Sequence, residues 1–314
     1  MPTAPSTVAA PPADRLWRPA WPCAVATILS SIRRGSGDPT YRTDESGALW
    51  RSCRTPAGPV TLRVRARAPL AEVEAQAWGA GADWILDRLP RLLGAADDPT
   101  GFEPRHPPVA YAWRRHPHWR VPSTGLVFEA LLAAILEQKV TGQEAWTGWR
   151  RVLRRFGEPA PGPGAALGMR VLPAPAAVAR IPSWEWLRCH IDPARSRTAV
   201  VAARAATSLE RTLDLPPAEV ESRLRSLPGV GVWTAAEVRQ RAHGDADAVS
   251  FGDYHVARDV GWALTGVEAD DEQLAELLAP YSPHRYRVQR LLELTGHRRP
   301  RRAPRMAPRT HLPG

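Results

Sequence analysis

Lysine is almost missing from this chain: of its 42 lysines and arginines only Lys139 is a lysine. With its abundant alanine and its 33 prolines, this reads as coding bias rather than a functional demand. Cysteine is scarce as well. Cys23, Cys53 and Cys189 are scattered and odd in number, which excludes a disulfide framework and a paired-cysteine metal motif and fits a reducing cytosol. Residues 1–13 lack the basic start and apolar middle of a secretion signal, and Cys23–Leu29 is far shorter than the ~20 residues of a membrane-spanning helix. A soluble, cytoplasmic protein is the expectation. Neither a P-loop nor a G-x-G-x-x-G loop is present. His116 and His118 stand two apart around a proline with no further ligands beside them, which speaks against a zinc set.

What the chain does have is length, apolar bulk and positive charge. Its 314 residues suit two domains, and 44% apolar residues with 13 tryptophans can fill a sizeable core. A formal net charge of +10 points to a polyanionic partner, since charge argues about partners and not about fold.

In chain order, residues 1–14 are rich in Pro and Ala and expected to be disordered. Cys23–Ile32 reads as a strand. The segments 48–54 and 59–68 flank a T-P-A-G turn and predict a β-hairpin, in which Val60, Leu62, Val64 and Ala66 alternate with Thr61, Arg63, Arg65 and Arg67. Those arginines are either a solvated strand face or a DNA contact. Helical patterns follow over 70–79 and 83–94, then an irregular connection over 97–121. A boundary there separates an α+β N-terminal domain (15–115) from a helical domain (120–295). In the latter, Ser123 or Thr124 is a candidate cap for a helix carrying Leu126, Leu131, Ile135 and Leu136. The stretch 157–176 reads as a Pro/Gly loop, 194–209 as a strong helix, and 270–279 and 283–295 as further helices. Residues 296–314 form a basic, proline-laden tail expected to be disordered and to add nonspecific DNA affinity.

The chemistry lies in Leu227–Val256. Here L-P-G-V-G punctuates two helical segments, so the reading is helix, tight glycine hairpin, helix. Gly229 and Gly231 supply backbone freedom, and their bare N–H groups, with the positive end of the second helix, suit a phosphate. Asp253 stands twenty residues after Trp233, just before a new helical run.

L-P-G-V-G-V-W-T-A followed at this distance by G-D-Y-H-V resembles the helix-hairpin-helix DNA glycosylases with a Gly/Pro-rich loop and an essential Asp, most nearly the 3-methyladenine DNA glycosylase II type. The resemblance covers residues 120–295 by specific motifs and 20–115 in outline. It implies a mainly helical glycosylase domain behind a small antiparallel sheet. It further implies monofunctional release of alkylated purines from damaged double-stranded DNA, leaving an abasic site, by a protein whose default state is a monomer.

Asp253 would be the catalytic carboxylate, opposing the positive charge that builds on the sugar and serving the attacking water; the plainer role of a helix cap is compatible with that. Trp233 stands where strand-cutting relatives use a lysine to form a Schiff base, and its flat ring suits an alkylated base. Glu237 replaces an aromatic of the family pattern; it is either surface or pocket, and in the pocket would favour cationic bases or pair with Arg258 or His255. Tyr254 and His255 point by resemblance to the base pocket. A-A-I-L-E-Q-K-V places Gln138 and Lys139 on the segment that plugs the gap left by the extruded nucleotide. The N–H groups of Gly229, Val230 and Gly231, with the Thr234 hydroxyl, would touch DNA. The carbonyls of Arg225, Leu227 and Val230 would hold a monovalent cation, Na or K, and no other cofactor is implied. The superfamily's iron–sulfur cluster is excluded, because no cysteine follows Cys189. Two alternatives stay open: a non-catalytic helix-hairpin-helix DNA-binding protein, and a bifunctional glycosylase/lyase with Lys139 as its amine.

Overall fold

The computed structural model describes residues 12–67 and 71–300. Five antiparallel strands come first: β1 (Ala13–Trp17), β2 (Tyr41–Thr43), β3 (Leu49–Thr55), β4 (Gly58–Arg67) and β5 (Glu72–Trp78), in spatial order β1-β5-β4-β3-β2. β3 and β4 are the expected hairpin, closing at the pair Thr55–Gly58. Val60, Leu62 and Val64 of β4 turn into the core, whereas Thr61, expected with the polar face, is buried and donates to the Pro161 carbonyl at 2.7 Å. Two of the arginines on the opposite face find partners there, Arg67 in Glu74 (2.7 Å) and Arg63 in Gln76 (3.3 Å).

Several expectations fail. Cys23–Ile32 is not a strand. It folds as helix α1 (Val25–Leu29) running into a 3₁₀ turn (Ser30–Ile32), and its buried residues Val25, Ile28, Leu29 and Ile32 fall at helical spacing. The pattern over 70–79 is not helical; residue 70 lies outside the described residues, and Glu72–Trp78 is β5. There Val73, Ala75 and Ala77 are buried in strict alternation with Glu72, Glu74 and Gln76. Pairing with β1 on one side and β4 on the other overrides the helix preference of Ala and Glu. The 83–94 segment is helical but breaks into α2 (Ala82–Asp87) and α3 (Leu89–Leu92), the second opening with Pro90. The connection over 97–121 is not irregular throughout, since it contains α4 (Pro107–Arg115). That helix begins on prolines, whose missing N–H costs nothing in a first turn. Of the N-terminus expected to be disordered, residues 1–11 lie outside the described residues, and Ala13 and Asp14 pair with Ala77 and Gln76. Of the basic tail, residues 301–314 lie outside them too.

From Val127 the chain is mainly helical, as expected. α5 (Val127–Glu137) is followed by α6 (Gly142–Phe156), which starts in a capping box of Thr141 and Glu144. The Pro/Gly stretch contains β6 (Glu158–Pro159), α7 (Pro163–Ala166), β7 (Arg170–Val171) and α8 (Pro175–Val178), and α9 (Ser183–Arg188) leads on to α10 (Pro193–Glu210). α11 (Pro217–Arg225), α12 (Val232–Val238), α13 (Val256–Thr265), α14 (Asp271–Leu278) and α15 (Arg285–Leu294) complete the chain. Neither Ser123 nor Thr124 caps α5. The cap is the carboxylate of Glu210, which ends α10 and accepts the Val127 and Phe128 N–H groups at 2.9 and 2.8 Å. With Leu131 and Ile135 packed among Trp149, Ala202 and Val238, α5 is the axle of the helical core.

α15 then returns to the sheet. Tyr286 and Leu291 join the sheet's core, while Val288 and Leu292 pack with α4, α13 and α14. Arg287 between them is fully buried and meets Asp97 at 2.6 Å; the other Asp97 oxygen accepts the Val121 N–H at 2.8 Å. Removing one member of such a pair strands a buried charge. Asp97→Ala is expected to lower stability by about 3–5 kcal/mol in urea unfolding, and Arg287→Met added to it to recover much of the loss.

Candidate active site

The hairpin between α11 and α12 is tight because of Gly229, at φ +87°. A Cβ there would lie 2.1 Å from the Thr198 hydroxyl of α10, so backbone and neighbour both demand glycine. Gly231 differs from expectation. At φ −95° and ψ −175° it is ordinary extended backbone, and nothing lies within 4 Å of the place a Cβ would take. Its smallness leaves the approach open rather than permitting the turn.

Gln138, expected to face DNA, ends α5 with its amide spent on the hairpin. Nε2 donates to the Gly229 carbonyl (2.9 Å) and to the buried Thr234 hydroxyl (2.8 Å). Lys139 follows at φ +53°, exposed. Of the three carbonyls expected to hold a cation, that of Leu227 already accepts the Val230 N–H at 3.0 Å, which leaves it one lone pair.

Asp253 sits in the turn before α13. Its Oδ1 accepts the N–H groups of His255 (2.7 Å) and Val256 (3.1 Å), and its Oδ2 accepts the Trp233 indole N–H at 3.1 Å. The capping contact is therefore present, and Trp233 serves Asp253 through its N–H. Burial pushes the Asp253 carboxyl above its ordinary pKa; the Glu237 charge adds to this, and the two backbone N–H groups and His255 oppose it.

The Asp253 turn is fastened by Ser250, whose carbonyl accepts the Asp253 N–H at 3.2 Å. Ser250 is buried. Its hydroxyl donates to Glu237 (2.8 Å) and accepts from Gln240 (2.8 Å), and its N–H donates to Gln289 of α15 (3.2 Å). Glu237 thus belongs to the interior, and its ionic partner is Arg241 at 2.7 Å rather than Arg258 or His255. Beyond Val238, α12 continues as one π-type turn (Arg239–His243), and the successive residues Gln240 and Arg241 both reach the site. Sequence reasoning missed Ser250, Gln240, Gln289 and Arg241. Only Arg241, four residues after Glu237, left a readable signal.

These groups line a cavity of about 300 Å³, the size of a small-ligand pocket. The structure brings Trp233, Glu237, Asp253 and His255 into its wall and leaves Tyr254 out; that ring is 68% exposed, edge-on to His255 and under Arg258. Gln138, Lys139 and the hairpin glycines also lie outside the lining. Five carboxylates line the cavity. Glu137, Glu237, Asp259 and Glu293 each have an arginine within ion-pair distance: Arg34, Arg241, Arg299 and Arg290. Asp253 has none among the described residues. No cluster of three or more His, Cys, Asp or Glu suited to a metal ion occurs among the described residues either.

A helical body behind a five-stranded sheet, with a braced glycine hairpin and an aspartate turn at a cavity, is a fold shared with solved DNA glycosylase structures. The 3-methyladenine DNA glycosylase of Archaeoglobus fulgidus superposes with a TM-score of 0.74 over 88% of this chain and 96% of its own, at 17% identity. The 8-oxoguanine glycosylase/lyase of Clostridium acetobutylicum, in its apo form, gives 0.68 over 91% and 98%, at 11% identity. In sequence the chain is 28% identical over 297 residues to the probable bifunctional transcriptional activator/DNA repair enzyme AlkA of Mycobacterium tuberculosis. That match takes in 73% of this chain, which spans 58% of the relative's length. No protein-family model matches the chain.

The two glycines separate by experiment. Gly229→Ala is expected to cost about 1–3 kcal/mol in thermal or urea unfolding, and Gly231→Ala less than about 0.5 kcal/mol.

Proposed function

We propose that the chain is a monofunctional DNA N-glycosylase of base-excision repair, acting as a cytoplasmic monomer on double-stranded DNA. It extrudes an N-alkylated purine of the 3-methyladenine type and hydrolyses its glycosidic bond. The observation that carries this reading is the Asp253 carboxylate: fixed by three N–H donors, free of any arginine among the described residues, and facing a cavity that would take a base.

The chemistry follows from that charge. As the C1′–N bond breaks, its electron pair leaves with the base, and an alkylated purine that carried a positive charge departs neutral. Positive charge then gathers on the sugar, where Asp253 opposes it in a site of low dielectric. Water adds to C1′ and gives up a proton, for which Asp253 is the nearest base in its turn. Trp233, having no amine, forms no Schiff base, so the product is an abasic site. On the DNA side, the N–H groups at Gly229, Val230 and Gly231 suit a backbone phosphate. The hard carbonyl oxygens of Arg225, Leu227 and Val230 suit Na or K, which would bridge protein and phosphate. Gln138 supports this surface from behind, with Lys139 exposed beside it. The strongly basic chain and the sequence similarity to a probable DNA repair enzyme support the same partner.

The test is mass spectrometry of bases released from methylated DNA. The unaltered chain is expected to release 3-methyladenine, and Asp253→Asn, which keeps the fold by circular dichroism, to lose at least about 100-fold in single-turnover rate. Tight binding with no free base would favour a non-catalytic DNA-binding protein instead. A covalent adduct trapped by borohydride, and lost in Lys139→Ala, would favour the glycosylase/lyase reading that the Clostridium likeness keeps in view.

A second expectation concerns pH. Only the ionised carboxylate can oppose the sugar cation, and burial lifts its pKa from the ordinary 3.8. The acid limb of kcat/KM should therefore lie above that value, and Glu237→Gln, which removes a nearby negative charge, should move the limb to lower pH. A limb at the ordinary carboxylate value in both proteins would oppose this assignment.

A further inference from the structure

The start of the basic tail does not leave the body of the protein. α15 ends in a Schellman turn: Gly296, at φ +72°, donates its N–H to the Glu293 carbonyl (3.2 Å), and His297 donates to Leu292 (3.0 Å). The turn reverses the chain, and the next three residues form a strap held at both ends. His297 meets the Thr295 hydroxyl at 2.7 Å and the ring of Tyr111 on α4 at 5.7 Å, edge-on. Arg299 donates to Glu268 at 2.6 Å, lies 3.5 Å from Asp259 of α13, and sits 5.9 Å over the ring of Tyr254, the neighbour of Asp253. Arg298, between the two anchors, is exposed and lines the cavity.

Of the three arginines in that lining, Arg241 and Arg290 are engaged by Glu237 and Glu293. Arg298 makes no ion pair or hydrogen bond among the described residues. The cavity therefore presents one carboxylate without an arginine, Asp253, and one guanidinium without an anion, Arg298. A nucleotide turned out of a duplex offers the complement to both: a sugar that becomes positive as its base leaves, and a phosphate that is negative throughout. A guanidinium's forked donors fit a phosphate's oxygens.

We propose that Arg298, carried on the 297–299 strap, binds the backbone phosphate of the extruded nucleotide and so sets that nucleotide's position at the cavity. This rests on the glycosylase reading and adds a ligand-binding role to a segment that the sequence marks only as a basic tail.

The experiment uses the full chain and two duplexes, one with a central tetrahydrofuran abasic analogue and one undamaged, with affinities measured across a salt series. Arg298→Ala is expected to weaken binding to the abasic duplex about tenfold and to lower the slope of log affinity against log salt by about one, with a much smaller loss on undamaged DNA. Arg298→Lys should restore most of the slope. Arg299→Ala, which unlatches the strap while keeping Arg298, should reproduce the loss. Equal losses on both duplexes would make Arg298 one more nonspecific cation of the tail and overturn the proposal. Unchanged affinity would overturn it too, as would tighter binding with faster base release, the mark of a strap that only obstructs. Failure of the glycosylase reading is separate: the unaltered chain would then release no base, whatever the salt slopes.

Discussion

The arrangement of the site depends on keeping one carboxylate largely out of water without pairing it to an arginine. Charge in a low-dielectric wall is costly unless its oxygens are satisfied, and Asp253 is satisfied by N–H dipoles: two from the entry to α13 and one from the Trp233 indole. Dipoles hold the anion in place without cancelling its charge, so under the proposed function it would remain available to a cation that develops later. An arginine at the same distance would have made the group more comfortable and much less useful.

Much of the surrounding structure serves to hold that turn and the hairpin in register. Ser250 ties the Asp253 turn to α12 through Glu237, to the π-type turn through Gln240 and to α15 through Gln289. α15 is fixed in turn to the sheet side by the buried Arg287–Asp97 pair. On the hairpin side, Gln138 at the end of α5 links the Gly229 carbonyl to Thr234, and α5 is set by the Glu210 cap. Both functional edges therefore lead back to buried helices through short chains of hydrogen bonds. That is the arrangement expected where geometry must hold within fractions of an ångström.

What could be read from sequence divides along the same line. The hairpin and the aspartate at its fixed distance were legible because both are local: a left-handed glycine, a helix start, a carboxylate before a helical run. The β3–β4 hairpin was legible for the same reason. The fastening of Asp253 was not, because Ser250 draws on residues from 237 to 289 and hydrogen-bonding side chains carry no periodicity. Short segments mislead where composition and spacing disagree. Val25, Ile28, Leu29 and Ile32 have helical spacing in an apolar run that looks like a strand, and Val73, Ala75 and Ala77 alternate like a strand in a segment rich in helix formers. The residues just beyond Gly296 belong by composition to a basic, disordered tail, whereas the anchors that hold them lie near residues 111 and 254–268.

The charge pattern gives these pieces a common sense. A chain of net charge +10 attracts polyanions at long range, and under the proposed function would draw DNA to its surface, but the same field would oppose a cation at the reaction centre. The cavity answers this by neutralising itself pair by pair. Four of its carboxylates hold arginines, so neither sign accumulates in the wall, and the local field comes mainly from whatever is left over. Among the charged pairs of the described residues, what is left over is Asp253 and Arg298. A nearly neutral, ion-paired lining also costs a neutral or cationic base little to enter, compared with a wall of bare arginines. Selection then falls to the two groups still able to form a new ionic contact, both of which would act on the sugar–phosphate rather than on the base. On this electrostatic ground the site would discriminate among bases mainly by how readily each one leaves.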